Sequence, residues 1–214
     1  DWDEMFKRMG TFKAAEREEM EHYEEHCKAV FGSKVTTSID HTPSQYDDCD
    51  PDVSSLTNRD AEWRKQLRAE MKPTERKKIE RVQMPELAPV YRATTRLEEV
   101  NIGLTPDMAL LEAKRCLDCG KPTCVEGCPV NINIPSFIKN IERGHFLDAA
   151  KVLKQTSALP AVCGRVCPQE KQCESKCIHL KMGEKPVAIG YLERFAADYE
   201  RESGNISLPE LAPA

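Results

Sequence analysis

Eight cysteines, Cys116 to Cys177, fall within 62 consecutive residues of a 214-residue chain, and any fold must accommodate them. They form two runs, Cys116-x2-Cys119-x4-Cys124-x3-Cys128-Pro129 and Cys163-x3-Cys167-Pro168-x4-Cys173-x3-Cys177. Two further cysteines, Cys27 and Cys49, stand apart. Such density means disulfides in a secreted protein and metal in a cytosolic one. Asp1-Trp2-Asp3-Glu4 lacks the positive start and apolar run of a signal peptide, and no stretch reaches the apolar length of a membrane span. The expectation is a cytoplasmic chain that uses its thiols for metal.

Charge narrows the partners. Residues 1–60 hold 15 acidic and 7 basic side chains, against 21 and 24 in the remainder. An acidic amino-terminal third argues against nucleic acid, which selects a basic face. Neither nucleic acid nor membrane is expected as a partner.

The chain between these landmarks reads as helix and linker. Trp2, Met5, Phe6 and Met9 recur at helical spacing before Gly10, and Thr11 can cap a second helix that ends at Gly32. From Ser33 to Asn58 periodicity is lost, and Asp47–Asp52 reads as exposed linker. Residues 60–82 are helical, with Trp63, Leu67 and Met71 four apart and a break at Pro73. Met84–Pro89 is extended, because a residue preceding proline avoids the helical region. Thr105-Pro106-Asp107 is a helix start running toward Cys116. A further helix carries Ile134, Phe137, Ile138 and Ile141 on one face and ends at Gly144; another spans Phe146 to Gln155. The last runs from Pro186 to about Arg201. No convincing strand occurs, so the fold class is mainly α.

The cysteine spacings suit iron better than zinc. Thiolate sulfur is the soft donor that iron in a [4Fe–4S] cube prefers, and close spacing lets one loop wrap three corners. In two-cluster ferredoxins the cysteine preceding proline ligates the other cluster. On that rule Cys116, Cys119 and Cys124 hold cluster 1 while Cys128 crosses to cluster 2 with Cys167 and Cys173, and Cys177 returns to complete cluster 1. By pattern alone Cys163 takes the fourth place on cluster 2. The rival reading is a zinc-stabilised module that joins subunits through the same eight thiols. A run of four cysteines ending in Cys-Pro is more typical of iron–sulfur proteins.

The stretch from about Met84 to Tyr199 resembles the amino-terminal helical ferredoxin domain of glutamate synthase small subunits. Dihydropyrimidine dehydrogenase and the large subunit of NADH-dependent reduced ferredoxin:NADP⁺ oxidoreductase share that domain. The matching pieces are Glu98–Gly103, Ala113–Cys119, Gly127-Cys128-Pro129-Val130, Cys163–Pro168 and the Cys173…Cys177 pair. Asp1–Gly10 also resembles the tail of a ferredoxin-reductase-like subunit. The resemblance implies a two-cluster α-helical ferredoxin domain over 105–203, preceded by a helical tail of that subunit (1–32), a linker (33–59) and a helical or extended lead-in (60–104). Residues 204–214 would lead to a flavin domain, and the whole would be a piece of a fused protein.

The same resemblance implies electron transfer between the clusters and a flavin, with FAD and NADP(H) bound in a carboxy-terminal part that this sequence, having no G-x-G-x-x-G, does not contain. The implied partners are the flavin domain of the same parent chain and a ferredoxin-reductase-like or glutamate synthase large subunit. It also changes one ligand. In these proteins one cluster keeps three cysteines and takes an oxygen from a later helix, and the matching position is Glu193, with Cys163 the alternative. Helical spacing sets Glu193 on the apolar stripe of Ile189 and Ala197, where a free carboxylate is costly; ligation would explain it, and so would an ion pair at the surface.

The remaining candidates read blandly. His145 and His179 are packing or surface groups rather than ligands. Arg115, Lys121, Arg165 and Lys176 could offset a cluster's negative charge, but each singly reads as a solvated surface charge. Met108 and Phe137 belong to the core, Cys27 to a helix face, and Cys49 is an exposed linker thiol without chemistry.

Overall fold

A computed structural model describes Tyr46 and residues 49–207 of the chain. The two helices read over 1–32, Cys27, the first part of the 33–59 linker and residues 208–214 lie outside the described residues.

Proline stands in the first turn of three of the six longer helices. α1 spans Glu62–Glu70. α2 spans Pro106–Lys114, with the Thr105 hydroxyl accepting from the Met108 N–H at 3.3 Å and proline in the first turn. α3 is Ile134–Glu142, α4 Phe146–Lys154, α5 Pro160–Val166 and α6 Ile189–Ser203. Single turns fill the gaps at Val53–Leu56, Pro73–Arg76, Pro89–Arg92, Thr123–Glu126 and Ile178–Lys181. Among the described residues there is no strand, only an isolated antiparallel bridge between Glu86 and Asn101. The mainly α expectation holds. No helix among the described residues is long and apolar enough to cross a membrane.

α3 is the central helix. All nine of its residues are buried, and it packs against both α2 and α4, while α6 packs against α4 and α5. Phe137, Ile141, Phe146, Leu153 and Leu192 are fully enclosed. Burial of each such side chain is worth roughly 1.5–3 kcal/mol. The polar residues of α3 are matched inside: Asn140 Nδ2 donates to the Leu56 and Ser136 carbonyls at 3.1 and 2.9 Å. Phe146 gathers the aromatic side chains, with Tyr46 stacked at 4.6 Å and Phe195 and Tyr199 edge-on at 4.9 and 5.0 Å.

Four expectations need correction. The last helix begins at Ile189 rather than Pro186: Ala188 is its N-cap, with non-helical backbone, and the Ala188 N–H donates to Glu112 Oε1 at 2.8 Å. The end of the supposed linker is docked. Leu56 is buried in the core, and the Asp50 N–H donates to Asp148 Oδ2 at 2.8 Å; Cys49 itself is exposed. The 60–82 stretch is helical only over Glu62–Glu70 and the single turn Pro73–Arg76, and the buried residue of α1 is Arg64, with Trp63 and Leu67 half-buried. Finally, Arg115 is not a solvated charge. It is buried against Glu112 at 2.7 Å and donates to the carbonyls of Ile79, Lys185 and Pro186.

Candidate metal centre

The first group of thiols surrounds one cavity. α2 ends just before Cys116, the loop behind it carries Cys119, and the turn at Thr123–Glu126 carries Cys124. From the far end of the cysteine frame comes Cys177, which precedes the Ile178–Lys181 turn. These four cysteines line a single cavity together with Ile134, Pro135, Ile138, Val187, Ile189 and His179. Burial pushes the Cys116 thiol up to about 11 and raises Cys119 and Cys124 as well. The neighbours whose charge further opposes ionisation of Cys124 are Cys116, Cys177, Cys119 and Cys173.

The second group gathers around Glu193. Burial raises Cys167, as do the charges of Glu193, Cys163 and Cys128. Cys173 is pushed up to about 12, by burial first, then by Glu174, Cys128 and Glu193. Cys128 and Glu193 thus each act on both Cys167 and Cys173. Glu193 is 5% exposed, its Oε1 has no hydrogen-bond partner, and burial raises its carboxyl to about 7. Cys163, on α5, is half-buried and bears on Cys167.

Two close backbone approaches bring the halves together. A Cβ at Gly127 would lie 2.8 Å from the Gln172 carbonyl oxygen, so only glycine lets the Cys124–Cys128 segment close on the 172–176 segment. The Thr123 hydroxyl secures that closure by donating to the Lys176 carbonyl at 2.6 Å. At Gly164 a Cβ would lie 2.6 Å from the Arg194 nitrogen, which lets α5 lie against α6 beside Glu193.

A shell of buried charges backs the first group. Lys139 is fully buried and donates to the Cys116 carbonyl at 2.7 Å and to Glu142, which also pairs with Arg76 at 2.8 Å. His179 Nε2 lies 2.9 Å from the Arg115 carbonyl, while its buried Nδ1 has no partner. Asp118, between Cys116 and Cys119, opposes Arg64 and Arg68. Burial works to raise its carboxyl, but the two guanidiniums outweigh burial and hold it below the usual carboxylate range. Sequence reading missed Arg64, Asp118 and Lys139, and set His179 aside. Nothing local marks them, although an aspartate inside Cys-x2-Cys was a visible candidate for the left-handed turn it adopts at φ +52°.

The donor set fits iron–sulfur clusters on grounds internal to this structure. All described cysteines are free thiols. Four of them face a shared cavity rather than pairing with each other, and metal binding would displace the protons that burial otherwise keeps in place. A buried carboxylate oxygen without a hydrogen bond costs on the order of 1–3 kcal/mol or more, a cost that ligation would offset. Among the described residues no three His, Cys, Asp or Glu side chains converge on a single-ion position.

Residues 92–205, just over half of the chain, match the family described as dihydropyrimidine dehydrogenase domain II, 4Fe-4S cluster. The NAD-dependent dihydropyrimidine dehydrogenase subunit PreT of Escherichia coli O157:H7 is 40% identical over 108 residues, 50% of this chain and 26% of that protein. The glutamate synthase (NADPH) small chain of Halomonas elongata is 39% identical over 116 residues, 54% of this chain and 24% of that protein. The corresponding small chain of Escherichia coli K12 is 43% identical over 97 residues, 45% and 20% respectively. The matched segment thus spans about a quarter of the length of these relatives.

Proposed function

The chain belongs to the dihydropyrimidine dehydrogenase domain II, 4Fe-4S cluster family, and from that premise we propose that it is the electron relay of a larger flavin- and NAD(P)H-dependent oxidoreductase. The observation that carries the reading is the sorting of the donors into two groups. Cys116, Cys119, Cys124 and Cys177 line one cavity, and Cys128, Cys167 and Cys173 share an electrostatic neighbourhood with the unpartnered Glu193. We assign the first four to cluster 1 and the second four to cluster 2. Two bound [4Fe–4S] clusters supply one-electron redox sites.

The chain's own residues hold and insulate those sites. Ile134, Ile138, Val187 and Ile189 wall the first cavity with apolar surface, excluding water and lowering the local dielectric. Gly127 and Gly164 lock the two halves of the cysteine frame together, so cross-shared ligands keep both sites in one rigid body. Glu193 supplies a hard oxygen donor in place of a fourth thiolate.

The relatives' names, an NAD-dependent dihydropyrimidine dehydrogenase subunit and a glutamate synthase (NADPH) small chain, support a parent protein that uses a nicotinamide nucleotide; in the proposed relay that parent carries NADP(H) and FAD. The partners of this reading are the flavin domain of the same parent chain and a ferredoxin-reductase-like or glutamate synthase large subunit. A reducing cytoplasm, which keeps ligand thiols available, is the matching compartment. The test is iron, sulfide and zinc analysis of anaerobically reconstituted protein, with electron paramagnetic resonance of the reduced sample. About eight iron atoms per chain, as two four-iron clusters require, supports the relay. Stoichiometric zinc without iron or sulfide would replace it with a zinc-stabilised structural module.

A further inference from the structure

The Cys116–Cys119 loop is gripped by side chains from outside the segment that matches the family. That match covers 92–205, whereas Arg59, Arg64 and Arg68 precede it. All three converge on Asp118. Arg64 Nη2 lies 2.5 Å from Asp118 Oδ1, and its Nε lies 3.1 Å from both carboxylate oxygens. Arg68 Nη1 is 2.5 Å from Oδ2, and Arg59 Nη2 donates to the Asp118 carbonyl at 3.1 Å. Arg64 also donates to Ser136 Oγ at 2.8 Å, which ties the loop to α3. Arg64 is 2% exposed and Asp118 1%.

A pair buried this deeply is a poor device for stability alone, because desolvation consumes most of the Coulombic gain. Its charges are, however, hardly screened by salt. The potential of an iron–sulfur cluster follows the net charge and hydrogen bonding around it. Arg64 and Arg68 both oppose the Asp118 carboxylate, so removing the carboxylate or a guanidinium changes the net charge beside Cys116 and Cys119 in opposite directions.

We propose that Arg64 and Asp118 are paired positioning residues that fix the Cys116–Cys119 loop and set the reduction potential of the cluster it holds. The inference rests on the iron–sulfur reading above. The test is a redox titration of the full, reconstituted chain, following the signal that Cys119→Ser alters. Asp118→Asn keeps a residue that tolerates φ +52° while removing the negative charge, so it should raise that potential. Arg64→Met should lower it, and Arg64→Lys should restore it toward wild type. A residue that merely stabilised the fold would not give shifts of opposite sign. If Arg64→Met fails to take up iron, Arg68→Gln, at a partly exposed member of the same group, gives the downward arm with a smaller shift. Shifts of one sign, or none, in iron-replete variants overturn the proposal. Wild-type protein without iron and sulfide would instead overturn the underlying reading.

Discussion

The backbone of Gly164 on α5 lies against the backbone of Arg194 on α6, so near that a Cβ at position 164 would sit 2.6 Å from the Arg194 nitrogen. The neighbour of each contacting residue, Cys163 and Glu193, is a candidate for the fourth ligand of the second site. One glycine contact therefore sets the spacing of that site. Alanine inside an exposed helix would gain about 1 kcal/mol over glycine. Here the contact atom is backbone and cannot swing aside, so overpacking of about 1–3 kcal/mol wins. Gly164→Ala should lower the denaturation midpoint and reduce iron retention; an unchanged midpoint would show that the helices can separate freely.

Glu193 offers the most direct probe of the ligand assignment. Replacement by alanine should cost up to half of the bound iron, because one of two clusters loses a corner. Glu193→Cys should retain iron and raise the potential of that cluster, since a hard oxygen donor favours the oxidised form. Titration of both variants beside wild type settles the point: unchanged iron content and potential remove Glu193 from the ligand set.

Asp148 tethers the segment that leads into the domain. Its buried carboxylate receives the Asp50 N–H at 2.8 Å and pairs with Lys151 at 3.1 Å. Asp148→Asn weakens charge-assisted bonds worth about 1.5–3 kcal/mol. Hydrogen exchange of the amides over 50–56 should accelerate while those of α3 stay protected. Equal protection in both forms would mean that Leu56 alone holds the segment.

Phe146 is the hinge of the aromatic cluster, in contact with Tyr46, Phe195 and Tyr199. Phe146→Ala should destabilise the domain by about 3–5 kcal/mol, the usual range for a buried phenylalanine. The loss is expected in urea or thermal melts, with the iron content of the folded protein at low temperature preserved. It does not line the cavity of the first cysteine group.

Most of the helical order was legible in the residues. Thr105-Pro106-Asp107 announced α2 through capping and proline, and Ile134, Phe137, Ile138 and Ile141 announced α3 through their spacing, because both signals operate within a single turn. The Phe146-to-Gln155 stripe returned as α4 with Phe146, Ala149, Ala150 and Leu153 enclosed. The start of α6 differs because Pro186 is a local signal, whereas the segment before Ile189 is held by distant groups, Arg115 on the Lys185 and Pro186 carbonyls and Glu112 on the Ala188 N–H. The short helix Pro160–Val166 was not anticipated, since its seven residues, interrupted by Gly164, are too few to show an apolar period.

What the sequence determined by itself was the chemistry: eight soft donors in two runs, a carboxylate on an apolar helical stripe, and helices between them. Spacing of that kind fixes which ligands are neighbours along the chain. The spacing rule had already grouped Cys177 with Cys116, Cys119 and Cys124; the tertiary structure supplied the apolar-walled cavity that all four line. It also decided that the lead-in would be docked, with Arg64 buried on Asp118. Both outcomes depend on close backbone approach at Gly127 and on desolvated charge pairing across more than fifty residues, and neither leaves a periodic trace in the sequence.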